Sequence, residues 1–396
     1  MIPQTVERRA RWVLDSIGAT ELGFGDDVPY NAAAWEQIER GERPDGDDVA
    51  EAFFHLARVE ERDGRRDEHG RFRAAWSCLD PLDPPLERLR RRLGLERTPF
   101  AVALTHDVDS PWRWTRIGLR GAAARFKCNV RQGHLAPALR EATGLAMAPV
   151  HRLRGSDPNW RFEQIVFEER RRGAHGSTFY VLAAHHDPHD GAAPDTYARL
   201  RPRLVETLRG AGAEIGLHGS YTAADNPARL REEKATLESL AGPVRGHRYH
   251  YMRADPHRNL APLAEVGFAY DTTLGFPDAV GFRAGIARPF RPWDFDRDEP
   301  LDLLEIPLAA MDATLGEERY LGLAAKRAEP QLMRLLDWAA ENGGGFAILW
   351  HPDRFDPLTS AGWDRLYSRL LDGIRERGGV CMSADELASS HSTWSK

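Results

Sequence analysis

Short apolar runs alternate with amphipathic patterns over most of this chain of 396 residues. Eight runs are bounded by turn-forming residues and are too short for helices, so we predict that they form buried strands. They span residues 100–105, 177–182, 213–218, 244–248, 268–271, 303–308, 345–350 and 379–382. Helical patterns lie between them at residues 160–172, 195–209, 227–240, 256–266, 325–341 and 362–377. This alternation is typical of a mostly parallel sheet with outer helices, and about eight strands predict an α/β fold, a complete or distorted (β/α) barrel.

The first 98 residues are mainly helical in our prediction. Apolar positions at helical spacing predict helices over residues 2–17 and 47–58, the second with Asp47 or Asp48 as its N-cap. A third helix is predicted from about residue 86 to residue 93, after a proline-rich break. These helices could cover an open side of the barrel or mediate self-association, and the pattern alone does not distinguish the two roles.

The chain therefore divides, in our prediction, into an accessory region at residues 1–98 and a catalytic barrel at residues 99–390. Within the accessory region, residues 60–71 carry so many charges and glycines that a solvated loop is expected. Within the barrel, residues 110–160 form an insertion with many basic residues. This insertion is either a lid or rim over the site or a surface element packed against the N-terminal helices.

Composition and charge narrow the classes of protein that remain. The shares of hydrophobic residues, 42%, and charged residues, 29%, are ordinary for a soluble globular protein. The net charge of −6 does not indicate binding to nucleic acid or to an anionic membrane. The three cysteines are far apart, so neither a disulfide framework nor a cysteine zinc site is predicted. Charges occupy the N-terminus where a signal peptide needs an apolar core, and no apolar run approaches about 18 residues. We therefore expect a cytoplasmic protein without nucleic-acid or membrane partners.

Two acids end the first predicted strand. Asp107 and Asp109 are separated by one residue, so along a strand both side chains point to the same face. Two carboxylates in one small volume raise one pKa or require a cation between them, and a bound metal or a shared proton satisfies that need. The structural alternative is that Asp109 caps a following helix and Asp107 pairs with an arginine.

Other predicted strands also end in reactive side chains. His218 closes the third run, Arg248 and His250 close the fourth, Asp312 follows the sixth and His351 closes the seventh. In (β/α) barrels the chemistry lies at the carboxyl ends of the strands. We therefore expect these side chains to meet the two acids at one end of the barrel.

Five motifs stand in the order typical of one family. They are Thr-His-Asp-Val-Asp at residues 105–109, Glu-Ile-Gly-Leu-His-Gly-Ser-Tyr at 214–221, Arg-Tyr-His at 248–250, the segment 307–312 and Leu-Trp-His at 349–351. With these motifs, the stretch from about residue 98 to residue 388 resembles the polysaccharide deacetylase, or NodB-homology, family. The resemblance implies a distorted (β/α) barrel with one divalent metal, usually zinc, which activates water to remove an N- or O-acetyl group from a sugar.

The resemblance implies a catalytic role for each matching residue. Asp107 resembles the general base and His351 the general acid. Arg248 resembles the residue that orients the base, Asp312 the partner of that arginine, and Leu349 the apolar wall that receives the acetyl methyl group. These roles suit amide hydrolysis, in which a carboxylate takes a proton from water and an imidazole protonates the departing amine.

The implied metal site departs from the family pattern at one position. Asp109 and His218 match two of the ligands, but Thr222 occupies the position of the second histidine, and a hydroxyl is a poor substitute for imidazole on zinc. His250 is our first candidate for the missing ligand, because it stands where the family usually has proline and follows a strand end. The reserve candidates are His247, His185, His186 and His189. We expect zinc, with cobalt, nickel or manganese as alternatives.

The sequence thus predicts a metal-dependent hydrolase of carbon–nitrogen bonds other than peptide bonds, which removes an acetyl group from an amino sugar. The expected substrate is a soluble precursor, a glycoside or a nucleotide-linked sugar. The residues expected to contact it are Tyr221, Tyr249, Leu349 and Trp350, with Trp112 and Trp114 as further aromatic candidates. One alternative is a non-catalytic relative that binds a carbohydrate or a partner through an inherited pocket. Another is hydrolysis of a different amide, such as deformylation or the opening of a cyclic amide.

Overall fold

The structure, a computed structural model, describes residues 2–191, 193–356 and 360–394. Its strands are β1 (Phe100–Val108), β2 (Thr178–Leu182), β3 (Glu214–Gly219), β4 (Gly246–Tyr249), β5 (Tyr270–Asp271), β6 (Trp293–Asp294), β7 (Glu299–Pro300), β8 (Leu304–Glu305), β9 (Leu308–Met311), β10 (Gly344–Leu349) and β11 (Val380–Met382). Within these residues, nine strands form one sheet in the order β8-β5-β4-β3-β2-β1-β10-β9, with β11 beside the first half of β1. Every pairing in this sheet is parallel, whereas β6 and β7 form a separate antiparallel pair.

Helices connect the parallel strands and cover the sheet. They are α1 (Gln4–Ser16), α2 (Ala32–Glu39), α3 (Asp48–Leu56), α4 (Pro85–Arg92), α5 (Arg116–Arg131), α6 (Leu135–Arg154), α7 (Phe162–Arg171), α8 (Pro194–Gly210), α9 (Pro227–Ala241), α10 (Ala261–Val266), α11 (Asp312–Gly316), α12 (Ala325–Asn342), α13 (Trp363–Glu376) and α14 (Ala384–Trp394). Parallel neighbours need such crossover connections, and β1, at the centre, is buried along its whole length. The prediction of a distorted (β/α) barrel is confirmed.

The distortion lies at the edges of the sheet. β8 and β9 are consecutive in sequence but are not paired with each other anywhere in the described ranges, so the barrel stays open between them. The sequence predicted a single strand over residues 303–308. Pro307 lies between the two observed strands, and proline has no N–H for a strand ladder.

One predicted helix is shorter than expected. The pattern predicted residues 256–266, but α10 begins at Ala261. Before it, the N–H of His257 donates to Asp255 Oδ1 at 3.1 Å, and the N–H of Asp255 donates to Asn259 Oδ1 at 2.9 Å. These local side-chain bonds offer the backbone a turn instead of a helical turn.

The N-terminal helices pack on the barrel through their apolar faces. Asp47 caps α3 as predicted, because its Oδ1 accepts the N–H groups of Val49 and Ala50 at 3.0 and 2.9 Å. Trp12 on α1 donates from its indole to the carbonyl oxygen of Arg291 at 3.0 Å, and its ring centroid lies 4.9 Å from that of Trp293. Buried side chains of α1 and α3 belong to the same hydrophobic cluster as those of α8 and α9. The domain boundary at residue 98 stays a prediction.

The prediction that residues 60–71 form a solvated loop holds for residues 62–65 and Glu68, which are exposed, but is wrong for both ends of the segment. Glu61 and Arg71 in this segment are 1% and 3% exposed. Both oxygens of Glu61 accept hydrogen bonds from Arg283 of the barrel, at 2.9 and 2.6 Å, and Arg58 donates to the first of them at 2.7 Å. Burial is tolerated here because each charge has a bonded partner of opposite sign.

The insertion at residues 110–160 forms a helical hairpin. α5 and α6 are joined by three residues and pack on each other. Trp112 and Trp114 precede α5 and, with residues from both helices and from the beginning of α8, line a groove of about 950 Å³. Across the residues that the structure describes, no helix combines the length and apolar character needed to cross a bilayer.

Candidate metal centre and catalytic site

Parallel pairing brings the candidate residues to one end of the barrel. His218 on β3 pairs with Arg248 on β4, while Leu349 on β10 pairs with Thr105 on β1 and with Met311 on β9. The carboxyl ends of these strands therefore lie side by side. The residues that occupy or follow these ends are Asp107, Asp109, His218, Arg248, His250, Asp312 and His351.

Asp109, His218 and His250 form a compact group that we call the ligand triad. His218 Nε2 lies 3.3 Å from Asp109 Oδ1, and His250 Nε2 lies 3.6 Å from the same oxygen. One ligand atom from each residue can be chosen so that all three lie within 4.8 Å of one another. Two imidazoles and one carboxylate are a donor set that suits zinc and similar divalent metals.

The other ring nitrogen of each histidine is held by an acceptor. His218 Nδ1 donates to the carbonyl oxygen of Arg248 at 3.0 Å, and His250 Nδ1 donates to Asp190 Oδ1 at 3.1 Å. These bonds direct both Nε2 atoms toward Asp109. Such hydrogen bonds from the far nitrogen are typical of metal-ligating histidines, because they fix the tautomer and the ring orientation.

Two atoms of the ligand triad lack the partners that buried polar atoms require. His218 Nε2 and Asp109 Oδ1 are buried and accept or donate no hydrogen bond within the described part of the chain. The Asp109 side chain is nonetheless 37% exposed, so its second oxygen is accessible from the cavity. The two atoms lie 3.3 Å apart within one group of possible metal ligands, so together they fit a site for a cation.

The charges around Asp109 shift two pKa values in opposite directions. Burial alone would raise the pKa of Asp109, but His250 and His218 bring it well below its usual value. Burial would lower the pKa of His250, but Asp109 and Asp190 raise it to about 9. The ionised carboxylate therefore attracts positive charge at this position, and a divalent metal would replace the histidine proton.

Asp107 is fixed by the guanidinium beside it. Arg248 Nη1 donates to Asp107 Oδ1 at 2.8 Å and to Thr105 Oγ1 at 2.9 Å. Arg248 Nε donates to the carbonyl oxygen of Thr272 at 3.1 Å, and the guanidinium lies over the ring of Tyr180. With Oδ1 held in this way, Asp107 Oδ2 faces the ligand triad, 3.6 Å from His218 Nε2.

His351 lies across the site from Asp107. Its Nδ1 donates to Asp312 Oδ1 at 2.7 Å, and its Nε2 lies 3.7 Å from Asp109 Oδ2. Burial would lower the pKa of His351, but Asp312 raises it to about 10. The ring is therefore an imidazolium at neutral pH, with one N–H directed into the cavity.

The expectation that Asp312 pairs with Arg248 is wrong. Asp312 Oδ1 accepts from the ring and the backbone N–H of His351, and Oδ2 accepts from Arg354 at 2.8 Å. The reason is the strand order, since Asp312 follows β9 and His351 follows the neighbouring strand β10. The partner of Arg248 is Asp107.

A cavity of about 200 Å³ opens beside these side chains. It is lined by Arg71, Asp107, Asp109, His189, Gly191, His250, Tyr251, Met252, Met311, Ala313, Glu317, Arg319, Tyr320, Leu349 and His351. Leu349, predicted as the apolar wall, is part of the lining. The accessory region also contributes to the cavity through Arg71.

Two predicted substrate contacts point away from the cavity. Tyr249 is 1% exposed and donates its hydroxyl to the carbonyl oxygen of Asn259 at 3.0 Å, and Trp350 is 1% exposed and packs on Tyr367. Tyr221 lies at the rim, stacked on His189 with ring centroids 4.3 Å apart. The structure therefore brings only Leu349 of the predicted contacts into the lining.

The remaining candidate ligands lie outside the triad. Thr222 accepts a hydrogen bond from Arg229 at 2.5 Å, and His247 is held by Asp271 at 2.7 Å. His185, His186 and His189 follow β2, and His189 alone of the three lines the cavity described above.

A second group of potential ligands fits a metal less well. His55, Glu60 and Cys78 lie close together in the accessory region. Both oxygens of Glu60 already accept hydrogen bonds, from Arg58 and Ser77 on one side and from Cys78 on the other.

Several residues of the site were not predicted from the sequence. Asp190 and Arg354 support His250 and Asp312 through hydrogen bonds, and Arg71 and Tyr320 line the cavity and bond to each other at 2.8 Å. Asp190 belongs to a short turn with Asp187 as its cap, which is a local signal in the sequence. The contact between Arg71 and Tyr320 joins positions 249 residues apart and leaves no local signal.

The strand order and these side chains define a distorted (β/α) barrel with a candidate metal centre at the carboxyl ends of its strands. No protein-family model matches the chain, and no curated protein matches it in sequence. Among solved structures, the chain is similar to a provisionally assigned polysaccharide deacetylase from Mycobacterium smegmatis, with 18% identity, 75% of this chain and 96% of that chain covered and a TM-score of 0.45.

Two further solved structures are similar. The PuuE allantoinase shows 14% identity, with 74% of this chain and 91% of that chain covered and a TM-score of 0.47. A family 4 carbohydrate esterase from Streptomyces lividans, in complex with acetate, shows 13% identity, with 72% and 93% covered and a TM-score of 0.33. At these identities the likeness is one of fold alone.

Proposed function

We propose that this protein is a metal-dependent hydrolase that removes an acetyl group from an N- or O-acetylated sugar or a sugar-containing intermediate. The observation that carries the proposal is the pair of unsatisfied buried atoms, His218 Nε2 and Asp109 Oδ1, which lies between a carboxylate, Asp107, and an imidazolium, His351. A cation site flanked by a base and an acid is the arrangement that hydrolysis of an amide or ester requires.

Asp109, His218 and His250 would hold the metal in this proposal. The donor set, the directed Nε2 atoms and the low pKa of Asp109 support that assignment. When bound, a divalent metal would lower the pKa of water to about 7 and would polarise the carbonyl group of the substrate.

Asp107 would act as the general base. Arg248 occupies its Oδ1, which leaves Oδ2 to accept a proton from water beside the ligand triad. Because Arg248 is itself held by Thr105 and Thr272, the carboxylate cannot turn away. This fixed orientation is what a general base needs for proton transfer.

His351 would act as the general acid. Its imidazolium N–H at Nε2 faces the cavity, and Asp312 stabilises the charge at Nδ1. Donation of the Nε2 proton to a departing amine or alcohol would leave a neutral ring that still donates from Nδ1 to Asp312. Arg354, bonded to the other oxygen of Asp312, keeps that carboxylate in place.

The cavity supports a small reacting group. Its volume of about 200 Å³ and the apolar side chains of Leu349, Met311 and Ala313 suit a short acyl group beside the catalytic residues. Arg71, Arg319 and Tyr320 at the same cavity supply donors for hydroxyl or acidic groups on the rest of the substrate.

Metal content tests the proposal most directly. Protein purified without chelators is measured by elemental mass spectrometry, for the wild type and for Asp109→Ala, His218→Ala and His250→Ala. We expect about one equivalent of zinc or a similar metal in the wild type and its loss in each variant, with Thr222→Ala as a control that keeps the metal.

Substrate screening follows from that result. Acyl-group release is measured over a panel of N-acetylated and O-acetylated sugars, N-formylated sugars and small cyclic amides. Turnover of acetylated sugars alone supports the proposal, whereas turnover of only non-sugar amides contradicts the assignment of a sugar substrate. A wild type that takes up no metal, even with added zinc, cobalt, nickel or manganese, contradicts the hydrolase mechanism and favours a binding protein.

A further inference from the structure

The hairpin of α5 and α6 exposes an unusual amount of apolar surface. Of the eight large hydrophobic side chains that are exposed in the described residues, six belong to this hairpin. They are Ile117, Val130, Leu135, Leu139, Met147 and Leu153. Single exposed hydrophobic residues are ordinary, but a concentration of them on one element marks an interaction surface.

The apolar residues of α6 form a continuous stripe. Leu135, Leu139 and Leu153 are 77%, 69% and 89% exposed, and Ala146 and Pro149 between them are also exposed. Successive members are separated by three, four or seven residues, which are one or two helical turns, so they share one face of the helix. The buried residues Glu141, Gly144 and Ala148 lie on the opposite face, and the buried residue Ala138 lies between the two faces. The stripe is therefore left to solvent while the other face provides the packing.

Positive charge is concentrated in the same hairpin. Between residues 116 and 154 there are eight arginine or lysine residues and one acidic residue, Glu141, although the whole chain has a net charge of −6. Glu141 is buried and pairs with Arg113 and Arg125. Within the described ranges, no ion pair involves the other seven basic residues of the segment, which are Arg116, Arg120, Lys127, Arg131, Arg140, Arg152 and Arg154.

We propose that the α5–α6 hairpin docks this protein onto an anionic lipid surface. A helix that presents exposed leucines beside unpaired arginines matches the two components of interfacial membrane binding, which are burial of apolar side chains and attraction to acidic headgroups. The expectation of no membrane partner came from the negative net charge of the whole chain, which does not reveal the local concentration of basic residues in the hairpin.

The charge distribution favours a lipid surface over other occupants. A second copy of the chain on the same face would place two sets of unpaired cations against each other, which opposes association. Nucleic acid would satisfy the arginines but would give the exposed leucines no apolar partner. An anionic bilayer surface satisfies both features.

Docking in this way would bring the candidate catalytic site near the lipid. The groove between the hairpin and the beginning of α8 includes Trp112, Thr115 and Thr196, and these residues also line a smaller cavity that reaches Asp109. The proposal itself concerns binding and does not depend on the hydrolase activity.

Vesicle co-sedimentation of the full chain tests the proposal. Vesicles of phosphatidylcholine with about a third phosphatidylglycerol are compared with pure phosphatidylcholine at low and high salt. We expect binding to the anionic vesicles that weakens as salt rises, because screening shortens the reach of the arginines. Binding to the neutral vesicles is expected to be at least about a hundredfold weaker, since several cations near the surface contribute about fivefold each.

Two sets of variants separate the two components of binding. Leu135→Ser, Leu139→Ser and Leu153→Ser together are expected to weaken binding to anionic vesicles more than about a hundredfold. Arg140→Gln, Arg152→Gln and Arg154→Gln together are expected to weaken it roughly a hundredfold and to reduce its salt dependence.

The control variants change exposed residues of the same types elsewhere. Phe167→Ser and Arg231→Gln lie outside the hairpin and are expected to leave vesicle binding unchanged. All substituted side chains are exposed, so thermal unfolding followed by circular dichroism is expected to be unchanged in every variant.

Three results would overturn the proposal. The first is a wild type that binds neither vesicle at low salt. The second is vesicle binding that both hairpin variants retain. The third is a wild-type dimer in light scattering that the leucine variant converts to a monomer in the absence of vesicle binding, which would show that a second copy covers the stripe.

Discussion

The accessory region and the carboxyl end of the barrel each contain a cluster of charged side chains. The two clusters differ in whether their buried polar atoms have hydrogen-bond partners. The first, which we call the anchoring cluster, consists of Arg58, Glu61 and Arg283. Glu61 Oε1 accepts hydrogen bonds from both arginines, and Glu61 Oε2 accepts one from Arg283. In the second, the ligand triad, Asp109 Oδ1 and His218 Nε2 are buried without a hydrogen-bond partner among the described residues.

The difference separates a structural role from a binding role. Ion pairs and hydrogen bonds compensate the desolvation of Glu61, and the arginines hold its pKa at about 2 although burial alone would raise it. The ligand triad lacks that compensation within the chain. We infer that the anchoring cluster holds the accessory region on the barrel, whereas the ligand triad is completed by a ligand.

The largest expected effect concerns the acid beside the ligand triad. His351→Gln removes the proposed proton donor and is expected to lower kcat at neutral pH by about 10²–10⁴-fold, because general acid catalysis contributes that much. The assay is steady-state hydrolysis of the substrate identified by screening, with metal content measured in parallel. His175→Gln changes an exposed histidine and is expected to leave kcat unchanged. Full activity of His351→Gln would refute the assignment of the acid.

The anchoring cluster predicts a large effect on stability. Glu61→Ala leaves Arg283 buried without a carboxylate partner and leaves Arg58 with Glu60 alone, and we expect it to lower the free energy of unfolding by about 3–5 kcal/mol. Urea unfolding followed by circular dichroism measures the change. Glu232→Ala, an exposed residue of α9, is the control and should change the free energy by less than about 0.5 kcal/mol. A similar small change for Glu61→Ala would mean that the cluster does not anchor the accessory region.

The same cluster predicts how stability depends on pH. The pKa of Glu61 is about 2 in the folded chain and near 4.3 in an unfolded one, so the folded state favours the ionised carboxylate. Its contribution is complete above about pH 5 and is lost as the pH falls toward about 2, which amounts to roughly 3 kcal/mol. The measurement is the unfolding free energy of the wild type minus that of Glu61→Gln at pH 7, 5, 4 and 3. A difference independent of pH would contradict the assignment.

The smallest expected effect concerns the support of the ligand triad. Asp190→Asn weakens the hydrogen bond that orients His250, and we expect metal affinity to fall about 10–100-fold. Competition with a chromophoric chelator measures the affinity. Asp195→Asn changes an exposed acid at the beginning of α8 and serves as the control. Unchanged affinity in Asp190→Asn would mean that the negative charge of Asp190 does not support the ligand triad.

Much of the fold was predictable because its signals are local. Each predicted strand lies on an observed one, since short apolar runs bounded by turns identify buried strands. The position of the reactive residues at strand ends also follows from local order, because parallel strands bring their carboxyl ends to one edge. The interruption between β8 and β9 also has a local signal, because Pro307 has no N–H for the strand ladder.

Strand alternation predicts which residues beside the site face away from it. Arg248 and His250 point into the site, so Tyr249 between them must point to the other face, and the structure buries it there. Trp350, between Leu349 and His351, follows the same rule. Both were expected to contact substrate because they are aromatic and close in sequence to the site.

Other features could not be predicted from local sequence. The charges of residues 60–71 indicated solvent exposure. Glu61 is nonetheless buried, because it pairs with Arg283, which lies 222 residues further along the chain. The pairing of Asp312 with His351 instead of Arg248 depends on which strands are neighbours. Such contacts depend on the assembled sheet, and a pattern of single residues does not contain them.

The bond between Glu61 and Arg283 also limits when the anchoring cluster can form during synthesis. Glu61 is synthesised before its partner, because Arg283 is added 222 residues later. At about 5–20 residues per second, that interval is roughly 10–45 s. During this time the hydrogen bonds that compensate the burial of Glu61 cannot all form. The anchoring cluster is therefore complete only after residue 283 has been added to the chain.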